Sequence, residues 1–591
     1  MKRGRIFVVA ILLGLAQTLY GETLAERSFE KLRANKPLCK EQFDFIVCGD
    51  SNSLVAIGQP KEFKTMIAEW NVLKPAFIVS CGDLILGGTA QDIVPQWDEF
   101  EQVVGKCEVP FFPVPGNHDI NTVPEVVQTY EQRIGPLTYG FTYGNSRFII
   151  LNSEENGAGG QISQKQLSWL KEDLNKCKAD NIFLFMHQPY FMQNWDQHWA
   201  YVADALQGFP VRAVFAGHKH VIRDCGVRDG VHYYVTGGAG SYIETPEEEG
   251  GFSHYLRVQV KKNQVDIAVI RPGSVFPPDV ITQERVDLIR ALRNGMRTEP
   301  VDVPLGGGFN HTVSAYVENP LEDAFTSAIT WKIPAGWHVE PLETPLSLAP
   351  GVTAQFPFHI WSDGPAQTHF PVPAMVMKIQ DNAQVGTLSV EKEIDLIPTA
   401  TSVHATGPVT TDGVLMEWTR ATPMSIPYGV DFDAANTADL RAQARLMWDD
   451  THVYVAVEAE DNEFHQPFGG DIVWSADSIE LWLDGWVYSL SLTAQGPQVF
   501  LSCNPERDVE VITQNVKLGV LRDGRRIVYE AAFNAADLAP VQLHPGNSFR
   551  FSILVNDLDP NGPCPIRHWL ELTPKAGTHF TGPMVKVLLT K

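Results

Sequence analysis

Short apolar runs alternate with helical patterns through the first part of the chain, between about residues 43 and 260. Apolar residues at helical spacing predict a helix over Lys61–Leu73. Ser163 and Gln166 form a capping-box pattern that predicts the start of another helix. Because strands and helices alternate, this region indicates a layered α/β domain with helices covering a sheet. The predicted strands are Phe43–Cys48, Phe77–Cys81, Phe111–Val114, Phe148–Leu151, Ile182–Met186, Ala213–Ala216 and Val231–Val235.

The rest of the chain has a different pattern. Thr282 is predicted to cap a short amphipathic helix that ends at Asn294-Gly295. From about residue 300 helical periodicity disappears, prolines recur, and short alternating apolar runs indicate β-sandwich structure. The sequence therefore predicts an α/β domain at 40–275, a helical linker at 276–299, and all-β sandwich domains at 300–396 and 400–591.

Metal-binding side chains follow five of the predicted strands directly. In an open α/β sheet, ligands bind outside the carboxyl ends of the strands, so these side chains are expected to gather at that edge. Each segment alone has an ordinary interpretation as a turn, but five in the same position favour a metal site. The five segments are Cys48-Gly49-Asp50, Cys81-Gly82-Asp83, Gly116-Asn117-His118, Met186-His187 and Gly217-His218-Lys219-His220.

The chain is strongly acidic, with a formal net charge of −24. Nucleic acid and anionic membrane surfaces are therefore not expected as partners, since no basic field attracts their phosphate groups. A small phosphate-bearing substrate stays compatible with this charge if bound cations supply the local positive charge.

The N-terminus has the features of a secretory signal peptide. Met1 to Arg5 is basic, an apolar run extends from Ile6 to Leu15, and small residues precede Glu22. We therefore expect residues 1–21 to be removed and the mature protein to be secreted or periplasmic. The apolar run is too short to span a bilayer, and no later segment is long enough, so no integral membrane segment is expected.

Eight cysteines are spread along the chain without a CxxC pair, which disfavours a zinc site built from thiolates. Cys48 and Cys81 end apolar strands and are interpreted as small core residues. Cys503 and Cys564 could form a disulfide in an oxidising compartment, although the sequence alone does not fix the pairing.

The strand-end residues resemble those of the calcineurin-like metallophosphoesterase superfamily over roughly residues 43–260. The family pattern runs Asp-x-His, Gly-Asp, Gly-Asn-His-Asp/Glu, a single His and Gly-His-x-His. Gly116–Asp119 and Gly217–His220 match its most specific parts. The resemblance implies a four-layer α/β/β/α sandwich with two divalent ions (Mn, Fe or Zn) about 3.5–4 Å apart.

The same resemblance implies a role for each residue of the pattern. Asp83 would bridge the two ions. A metal-bound hydroxide would attack phosphorus, because two cations lower the pKa of bound water. The remaining ligands would be Asp50 and His220 for the first ion, and Asn117, His187 and His218 for the second.

His118 and Asp119 are the predicted catalytic residues. His118 would stabilise the developing phosphoryl charge or protonate the leaving oxygen, and Asp119 would orient it. The first motif departs from the family, because Asn52 stands where His is common. Either Asn52 binds the first ion through its carbonyl oxygen, or the first site is weaker and fills only when metal is plentiful.

Two resemblances concern the all-β regions. Residues 300–396 resemble the immunoglobulin-like spacers of secreted multidomain hydrolases. In the last region the β pattern is carried by Met447–Asp450, Val453–Val457, Asp477–Asp484, Tyr529–Ala532 and Phe549–Asp557. This pattern resembles the family 9 carbohydrate-binding modules and implies carbohydrate as a partner.

Sugar binding rests physically on flat aromatic rings that stack on pyranose faces. Each tryptophan in the region has an alternative interpretation as a core residue. The acidic run Glu458–Asp461 is interpreted either as a calcium site, as in members of the family, or as a solvated hairpin. The candidate stacking residues are Trp448, Trp474, Trp482, Trp486 and Trp569.

Taken together, these patterns favour an exported metal-dependent phosphoesterase that hydrolyses a phosphomonoester or phosphodiester and carries a carbohydrate-binding module. The alternative is a non-catalytic carbohydrate-binding or adhesion protein with a degenerate metal site. A glycosidase is disfavoured, since the sequence marks no pair of carboxylates as acid and nucleophile.

Overall fold

The computed structural model divides the chain into two compact units, Met1–Asp287 and Leu288–Lys591. Of the signal peptide predicted at 1–21, only Gly21 is among the described residues. Of the possible disulfide between Cys503 and Cys564, only the backbone of Cys503 is described. The structure describes residues 21–34, 39–52, 58–155, 161–192, 195–363, 370–381, 386–429, 438–503, 513–559, 568–574 and 582–591.

The first unit combines helices with two six-stranded sheets. Its helices are α1 Leu24–Ala34, α2 Lys61–Leu73, α3 Ile93–Val104, α4 Pro124–Arg133, α5 Gln164–Lys176, α6 Trp195–His198 and α7 Ala200–Leu206. Helix α8, Gln283–Asn294, begins in the first unit and ends in the second. Its strands are β1 Gln42–Cys48, β2 Ile78–Ser80, β3 Phe111–Pro113, β4 Tyr139–Tyr143, β5 Ser146–Ile150, β6 Asn181–Phe185, β7 Val211–Ala216, β8 Ile222–Arg228, β9 Val231–Thr236, β10 Tyr255–Lys261, β11 Gln264–Arg271 and β12 Ser274–Phe276.

The strand order explains how residues distant in sequence reach one edge of each sheet. The first sheet has the order β12-β11-β10-β1-β2-β3, in which β1, β2 and β3 are parallel. The second has the order β4-β5-β6-β7-β9-β8, in which β5, β6, β7 and β9 are parallel. Parallel neighbours end on the same side, so the loops after them lie next to one another.

Alternating side chains of β1 enter two different cores. Phe45 lies in a buried cluster with Phe148 of the second sheet, and the two ring centroids are 5.2 Å apart. Ile46, on the opposite face of β1, packs in a second cluster with residues of α2 and α3. This alternation is the period of two expected for a strand buried on both faces. A third cluster joins the second sheet to α5 and α7. The exact four-layer arrangement stays a prediction.

Several elements agree with the patterns in the sequence. The helix Lys61–Leu73 is present, and Ser163 caps α5 by accepting a hydrogen bond from the Gln166 N–H. Thr282 caps α8 in the same way, through a 3.2 Å hydrogen bond from the Arg285 N–H. Five helices, α1, α3, α4, α6 and α7, and the strands β4, β8 and β10 to β12 were not predicted. No helix in the described part of the chain has the length and apolar character needed to cross a membrane.

The second unit is mostly β, in three sheets. Two four-stranded sheets have the orders β13-β15-β19-β17 and β18-β16-β20-β21, and the remaining strands form a thirteen-stranded sheet. The strands are β13 Met296–Thr298, β14 Val301–Pro304, β15 Asn310–Glu318, β16 Phe325–Lys332, β17 Trp337–Glu340, β18 Glu343–Leu348, β19 Thr353–Ser362, β20 Ala374–Asp381, β21 Gly386–Glu393, β22 Leu396–His404, β23 Met424–Ile426, β24 Leu440–Trp448, β25 His452–Asp461, β26 Ser478–Leu483, β27 Trp486–Thr493, β28 Gly496–Cys503, β29 Lys517–Asp523, β30 Arg526–Asn534, β31 Ser548–Asp557, β32 His568–Glu571 and β33 Val585–Thr590.

The thirteen-stranded sheet includes a strand from the region predicted as a separate spacer. β14 pairs in parallel with β22, and β22 pairs with β33 close to the C-terminus. The boundaries and the number of sandwich domains stay predictions.

Candidate metal centre

Five side chains that follow strands of the first unit come together in two groups. Asp83, His187 and His218 form one group, and Asp50, Asp83 and His220 form the other. Within each group, one potential ligand atom from each residue lies within 4.8 Å of the others. Asp83 belongs to both groups. Carboxylate oxygens and imidazole nitrogens are suitable ligands for Mn, Fe and Zn, so this donor set fits a pair of divalent ions.

The carboxylates and imidazoles approach each other closely. His187 Nε2 lies 3.3 Å from Asp83 Oδ2, and His220 Nε2 lies 3.5 Å from Asp50 Oδ1. His118 Nε2 is 4.0 Å from Asp83 Oδ2. Asp50, Asp83 and His187 are almost completely buried, whereas the side chain of His118 is 38% exposed. His118 is therefore accessible to a substrate that approaches the buried carboxylates.

Asn117 lies between the histidines of the first group. Its Oδ1 is 2.9 Å from His187 Nε2 and 3.0 Å from His218 Nδ1. The Gln188 amide also lies 3.3 Å from this oxygen. The structure thus brings the side-chain oxygen of Asn117 to the same point as the ligands assigned with it to the second ion.

Backbone carbonyls hold two of the histidine ligands through their second ring nitrogen. Nδ1 of His187 is 2.8 Å from the Cys81 carbonyl oxygen. Nδ1 of His220 is 2.7 Å from the Tyr242 carbonyl oxygen. A carbonyl can only accept, so Nδ1 carries the proton and leaves Nε2 able to bind a cation. Both side chains are therefore held as metal ligands are usually held.

The backbone at the site is left-handed at four positions. Asp50, Asp83, His218 and His220 have φ values of 60°, 53°, 70° and 47°. They make up half of the eight non-glycine residues with positive φ in the described chain. Such conformations cost free energy and persist where the surrounding structure requires them, frequently at functional sites.

Two glycines allow the backbone to approach the carboxylates closely. A Cβ atom at Gly217 would lie 2.3 Å from Asp50 Oδ2, and one at Gly116 would lie 2.3 Å from Asp83 Oδ1. Any side chain would displace the acidic groups, which explains the glycine in both motifs. The N–H of His218 donates to both oxygens of Asp50 at 2.9 Å.

Charges are strongly coupled around Asp83. Burial alone would raise the pKa of Asp83, but the charges of His187 and His118 outweigh it and hold the pKa below its usual range. Burial would lower the pKa of His187, yet the Asp83 carboxylate raises it to about 10. The His187 proton is thus the counter-charge of Asp83, and a divalent cation would replace it.

Burial favours the uncharged form of the other groups. Burial, with the charge of His187 added, lowers the pKa of His218 to about 3. Burial also lowers the pKa of His220 and raises that of Asp50 well above its usual range. Neutral imidazole is the form that binds metal. A buried carboxyl with a raised pKa gains from a nearby cation, which restores its charged form.

Asp119 does not make the contact predicted for it. The ring of His118 is oriented instead by the Leu86 carbonyl oxygen, 2.6 Å from Nδ1. Asp119 accepts hydrogen bonds from the N–H groups of Leu84 and Gly116, at 2.7 and 2.9 Å, and from Ile85 at 3.3 Å. Burial and the charge of Asp83 raise the pKa of Asp119 to about 7. A short carboxylate beside a turn binds the free backbone donors first, which the motif alone does not reveal.

Asn52 lies near the site but has its own partner. It is buried, its N–H donates to the Asp83 carbonyl oxygen at 2.9 Å, and its Oδ1 accepts a short hydrogen bond from the Ser241 hydroxyl. A carbonyl oxygen has two lone pairs, so this bond leaves one for a cation. Its assignment as a ligand stays a prediction.

Glu154 is a residue of this region that the motifs did not mark. It is buried, and its Oε1 accepts a 2.8 Å hydrogen bond from the Ser153 hydroxyl. Its Oε2 has no hydrogen-bond partner among the described residues. Burial raises its pKa, and the charge of His187 opposes this shift. Glu154 lies four residues after the end of β5. A metal-binding side chain shortly after a strand is the signal that marked the five strand-end segments, and it could have marked Glu154 as well.

The structure of the C-terminal region bears on two predictions, the calcium site at Glu458–Asp461 and the tryptophans that could stack on a sugar. Glu458 pairs with Arg526 at 2.6 Å and Glu460 with Arg441, so neither acts as an isolated calcium ligand. Asp461 instead joins Asp477 and Asp557 in a buried group whose ligand atoms lie within 4.8 Å of one another. Among the candidate stacking residues, Trp448, Trp486 and Trp569 are buried, whereas Trp474 and Trp482 are half-buried.

Two family models match separate parts of the chain. Residues 43–222 match the calcineurin-like phosphoesterase family, and residues 411–581 match the carbohydrate family 9 binding domain-like family. Both resemblances drawn from the motifs are thereby confirmed. Residues 43–222 are thus similar to calcineurin-like phosphoesterases, and residues 411–581 are similar to domains of carbohydrate family 9.

Curated relatives match the first of these parts. The probable glycerophosphodiester phosphodiesterase GpdQ of Arcobacter nitrofigilis is 28% identical over 160 residues, 25% of this chain and 57% of the relative. A probable cyclic nucleotide phosphodiesterase of Rhodococcus erythropolis is 27% identical over 158 residues, 25% of this chain and 52% of the relative. The chain spans about half the length of these curated relatives.

Solved structures resemble both parts at low sequence identity. A dimetal phosphatase from Danio rerio is 16% identical with a TM-score of 0.30, covering 38% of this chain and 95% of that protein. A carbohydrate binding module of family 9 from Caldicellulosiruptor kristjanssonii, in complex with cellotriose, is 17% identical with a TM-score of 0.26. It covers 32% of this chain and 93% of that module. Each likeness is confined to part of the chain.

Proposed function

We propose that this chain is an exported, metal-dependent phosphodiesterase with a carbohydrate-binding module. The observation that carries the proposal is that Asp83 belongs to two groups of metal-binding side chains, one with His187 and His218 and one with Asp50 and His220. A carboxylate that belongs to both groups can bind two divalent ions at once and so bridge them.

The donor atoms present fit two ions such as Mn, Fe or Zn. Asp83, Asp50 and His220 would hold one, and Asp83 with Asn117, His187 and His218 the other. When bound, the two ions would act as Lewis acids on the phosphoryl group and on the attacking water.

His118 is the residue of this chain that would handle the proton. Its Nδ1 is fixed by the Leu86 carbonyl oxygen, and its partly exposed Nε2 lies 4.0 Å from Asp83 Oδ2. From this position Nε2 would hold a proton for the leaving oxygen or stabilise charge on the phosphoryl group.

A diester is the proposed substrate class. Both curated relatives are named phosphodiesterases, one for glycerophosphodiesters and one for cyclic nucleotides. The acidic chain offers no basic field for a long nucleic acid, so a small phosphodiester fits better.

The test is an activity screen with metal added back. Protein stripped of metal is loaded with Mn²⁺ or Zn²⁺ and assayed on bis(para-nitrophenyl) phosphate and on para-nitrophenyl phosphate. We expect metal-dependent turnover, faster on the diester, and a loss of about 100-fold or more in Asp83→Asn and in His118→Ala. Asp204→Asn, at an exposed position of α7, is the matched control and should keep full activity.

Unchanged turnover in folded Asp83→Asn would contradict the proposed mechanism. Absence of turnover on every ester with both ions bound would favour the alternative, a non-catalytic binding protein with a degenerate metal site.

The carbohydrate-binding role is proposed for the last region. The half-buried Trp474 and Trp482 are the remaining candidates for stacking on a sugar, although the Arg550 guanidinium already lies 5.1 Å from the Trp482 ring. We therefore expect Trp474→Ala to reduce binding of the full chain on a glycan array. A chain that binds no glycan would remove this role.

Calcium is the proposed structural cation of the same region. Asp461, Asp477 and Asp557 are buried and offer only oxygen ligands, which suits Ca²⁺. Burial and the charge of Asp461 raise the pKa of Asp477 to about 10. A cation among these carboxylates would relieve their repulsion.

A further inference from the structure

A second group of metal-binding side chains adjoins the proposed calcium site. Asp439, Asp557 and His568 offer one ligand atom each within 4.8 Å of one another. His568 Nε2 lies 3.0 Å from Asp557 Oδ2 and 3.1 Å from Asp439 Oδ2. Asp557 is therefore common to two groups in this region, as Asp83 is in the first unit.

Asp557 is the observation that points to a bound cation. Only 1% of the residue is exposed. Neither of its carboxylate oxygens has a hydrogen-bond partner among the described residues, although His568 lies beside one of them. A buried carboxylate without hydrogen bonds is costly, and a metal ion is one of the few groups that offset this cost.

The groups around Asp557 carry an excess of negative charge. The neighbouring Asp559 also has an oxygen without a hydrogen-bond partner in the described chain. Arg525 lies nearby, but its guanidinium donates to the carbonyl oxygens of residues 438, 439 and 461. The facing carboxyl groups are Asp439, Asp461, Asp477, Asp557 and Asp559, and the facing basic side chains are His568 and Arg522.

We propose that Asp439, Asp557 and His568 bind a transition-metal ion of the Zn²⁺ or Mn²⁺ class, next to the calcium site and sharing Asp557 with it. The imidazole distinguishes the two sites. Ca²⁺ takes oxygen ligands almost exclusively, whereas a nitrogen with two carboxylates is a donor set for Zn²⁺ or Mn²⁺. The His568 side chain is 39% exposed, so this site is reached from solvent.

The ion would tie together separate strands of the thirteen-stranded sheet. Asp557 ends β31 and faces His568, the first residue of β32, in the register of that pair. Asp439 directly precedes β24. One ion bound to all three residues would fix the start of β24 against the β31–β32 pair, which makes a structural role the expected one.

The test is a zinc-binding measurement on the full chain. Wild type, His568→Ala and Asp439→Asn are equilibrated with micromolar Zn²⁺ in the presence of excess Ca²⁺, and bound zinc is measured by elemental analysis. We expect each variant to bind one equivalent less than wild type, with circular dichroism unchanged. His544→Ala, an exposed histidine of the same region, is the matched control and should bind as wild type.

A second measurement distinguishes zinc bound at this site from metal bound at the phosphoesterase centre. Diesterase activity should be unchanged in His568→Ala, and the loss of one zinc should also be seen when the change is made in an Asp83→Asn background. Full zinc binding in folded His568→Ala and Asp439→Asn would show that the group is an ion pair only. Displacement of that zinc by calcium in wild type would show a single hard-cation site, and either result would overturn the proposal.

Discussion

At the scale of single residues, Asp119 connects two loops of the candidate metal centre. Its Oδ1 accepts from the N–H groups of Leu84 and Ile85, and its Oδ2 accepts from that of Gly116. These loops carry Asp83 and Asn117, so the carboxylate fixes the positions of two ligands through the backbone.

Asp119→Asn should therefore destabilise the fold as well as reduce activity. The amide keeps one acceptor oxygen and turns an NH₂ group toward a backbone N–H, which leaves a buried donor without a partner. We expect a loss of about 1–3 kcal/mol in the free energy of unfolding, measured by urea denaturation. Asp204→Asn should stay within about 0.5 kcal/mol of wild type. A variant of normal stability with a lower turnover number would instead support the orienting role first predicted for Asp119.

The sequence predicted most residues of the centre because their types recur in a recognisable spacing. It did not predict the partner of His118 or the buried Glu154. These depend on which backbone groups remain free in the folded loops, and a motif does not specify that. The left-handed conformations of Asp50 and Asp83 were also absent from the pattern, because aspartate adopts that region only where tertiary contacts impose it.

At the scale of secondary-structure elements, Asp449 stabilises the connection between β24 and β25. It follows β24, and its carboxylate accepts hydrogen bonds from the Thr451 and His452 N–H groups at 2.7 and 2.8 Å and from the Tyr454 hydroxyl at 2.6 Å. Burial alone would raise the pKa of Asp449, but these hydrogen bonds outweigh it and lower the pKa from 3.8 to about 2.

The stability contributed by Asp449 should depend on pH. Because the folded-state pKa lies below the unfolded value, the contribution is complete above pH 4 and is lost as the pH falls through about 2. Asp449→Asn should lower the melting temperature at pH 7, and the difference from wild type should shrink toward pH 2. The neighbouring Asp450→Asn, whose side chain is 92% exposed, should show little change at either pH. An equal deficit of Asp449→Asn at both pH values would contradict the assignment.

Elements were predicted well where the apolar run is short and bounded by turn residues. The parallel strands β1, β2, β3, β6 and β7 match their predicted ranges to within two residues at each end. Helices α3 and α4 were missed although α3 buries residues such as Trp97 and Phe100. Pro95 interrupts its apolar positions, so helical periodicity alone did not separate it from a loop. The signal that could have found it is the capping-box pattern of Thr89 and Asp92 directly before the helix, whose hydrogen bonds the structure shows.

At the scale of the whole molecule, the family signatures were readable but the sheet connections were not. The β14–β22 pairing joins residues almost a hundred positions apart, and no local pattern encodes such a partner. The two proposed metal-binding regions, in contrast, fall in different compact units, the first at the phosphoesterase residues and the second in Leu288–Lys591.

This separation predicts that the two kinds of cation can be removed independently. Removal of calcium with EGTA, while a zinc buffer holds the free zinc concentration constant, should lower the melting temperature of the second unit and leave diesterase activity at low temperature unchanged. With calcium at about 100 times its dissociation constant, the stabilisation is about 2.7 kcal/mol, or roughly 4 °C in melting temperature for a unit the size of Leu288–Lys591. Asp477→Asn, which removes a ligand of the calcium site alone, should abolish the calcium-dependent shift seen by calorimetry. Loss of activity in EGTA under these conditions would show that calcium acts at the phosphoesterase centre, and a calcium shift retained by Asp477→Asn would place the cation elsewhere.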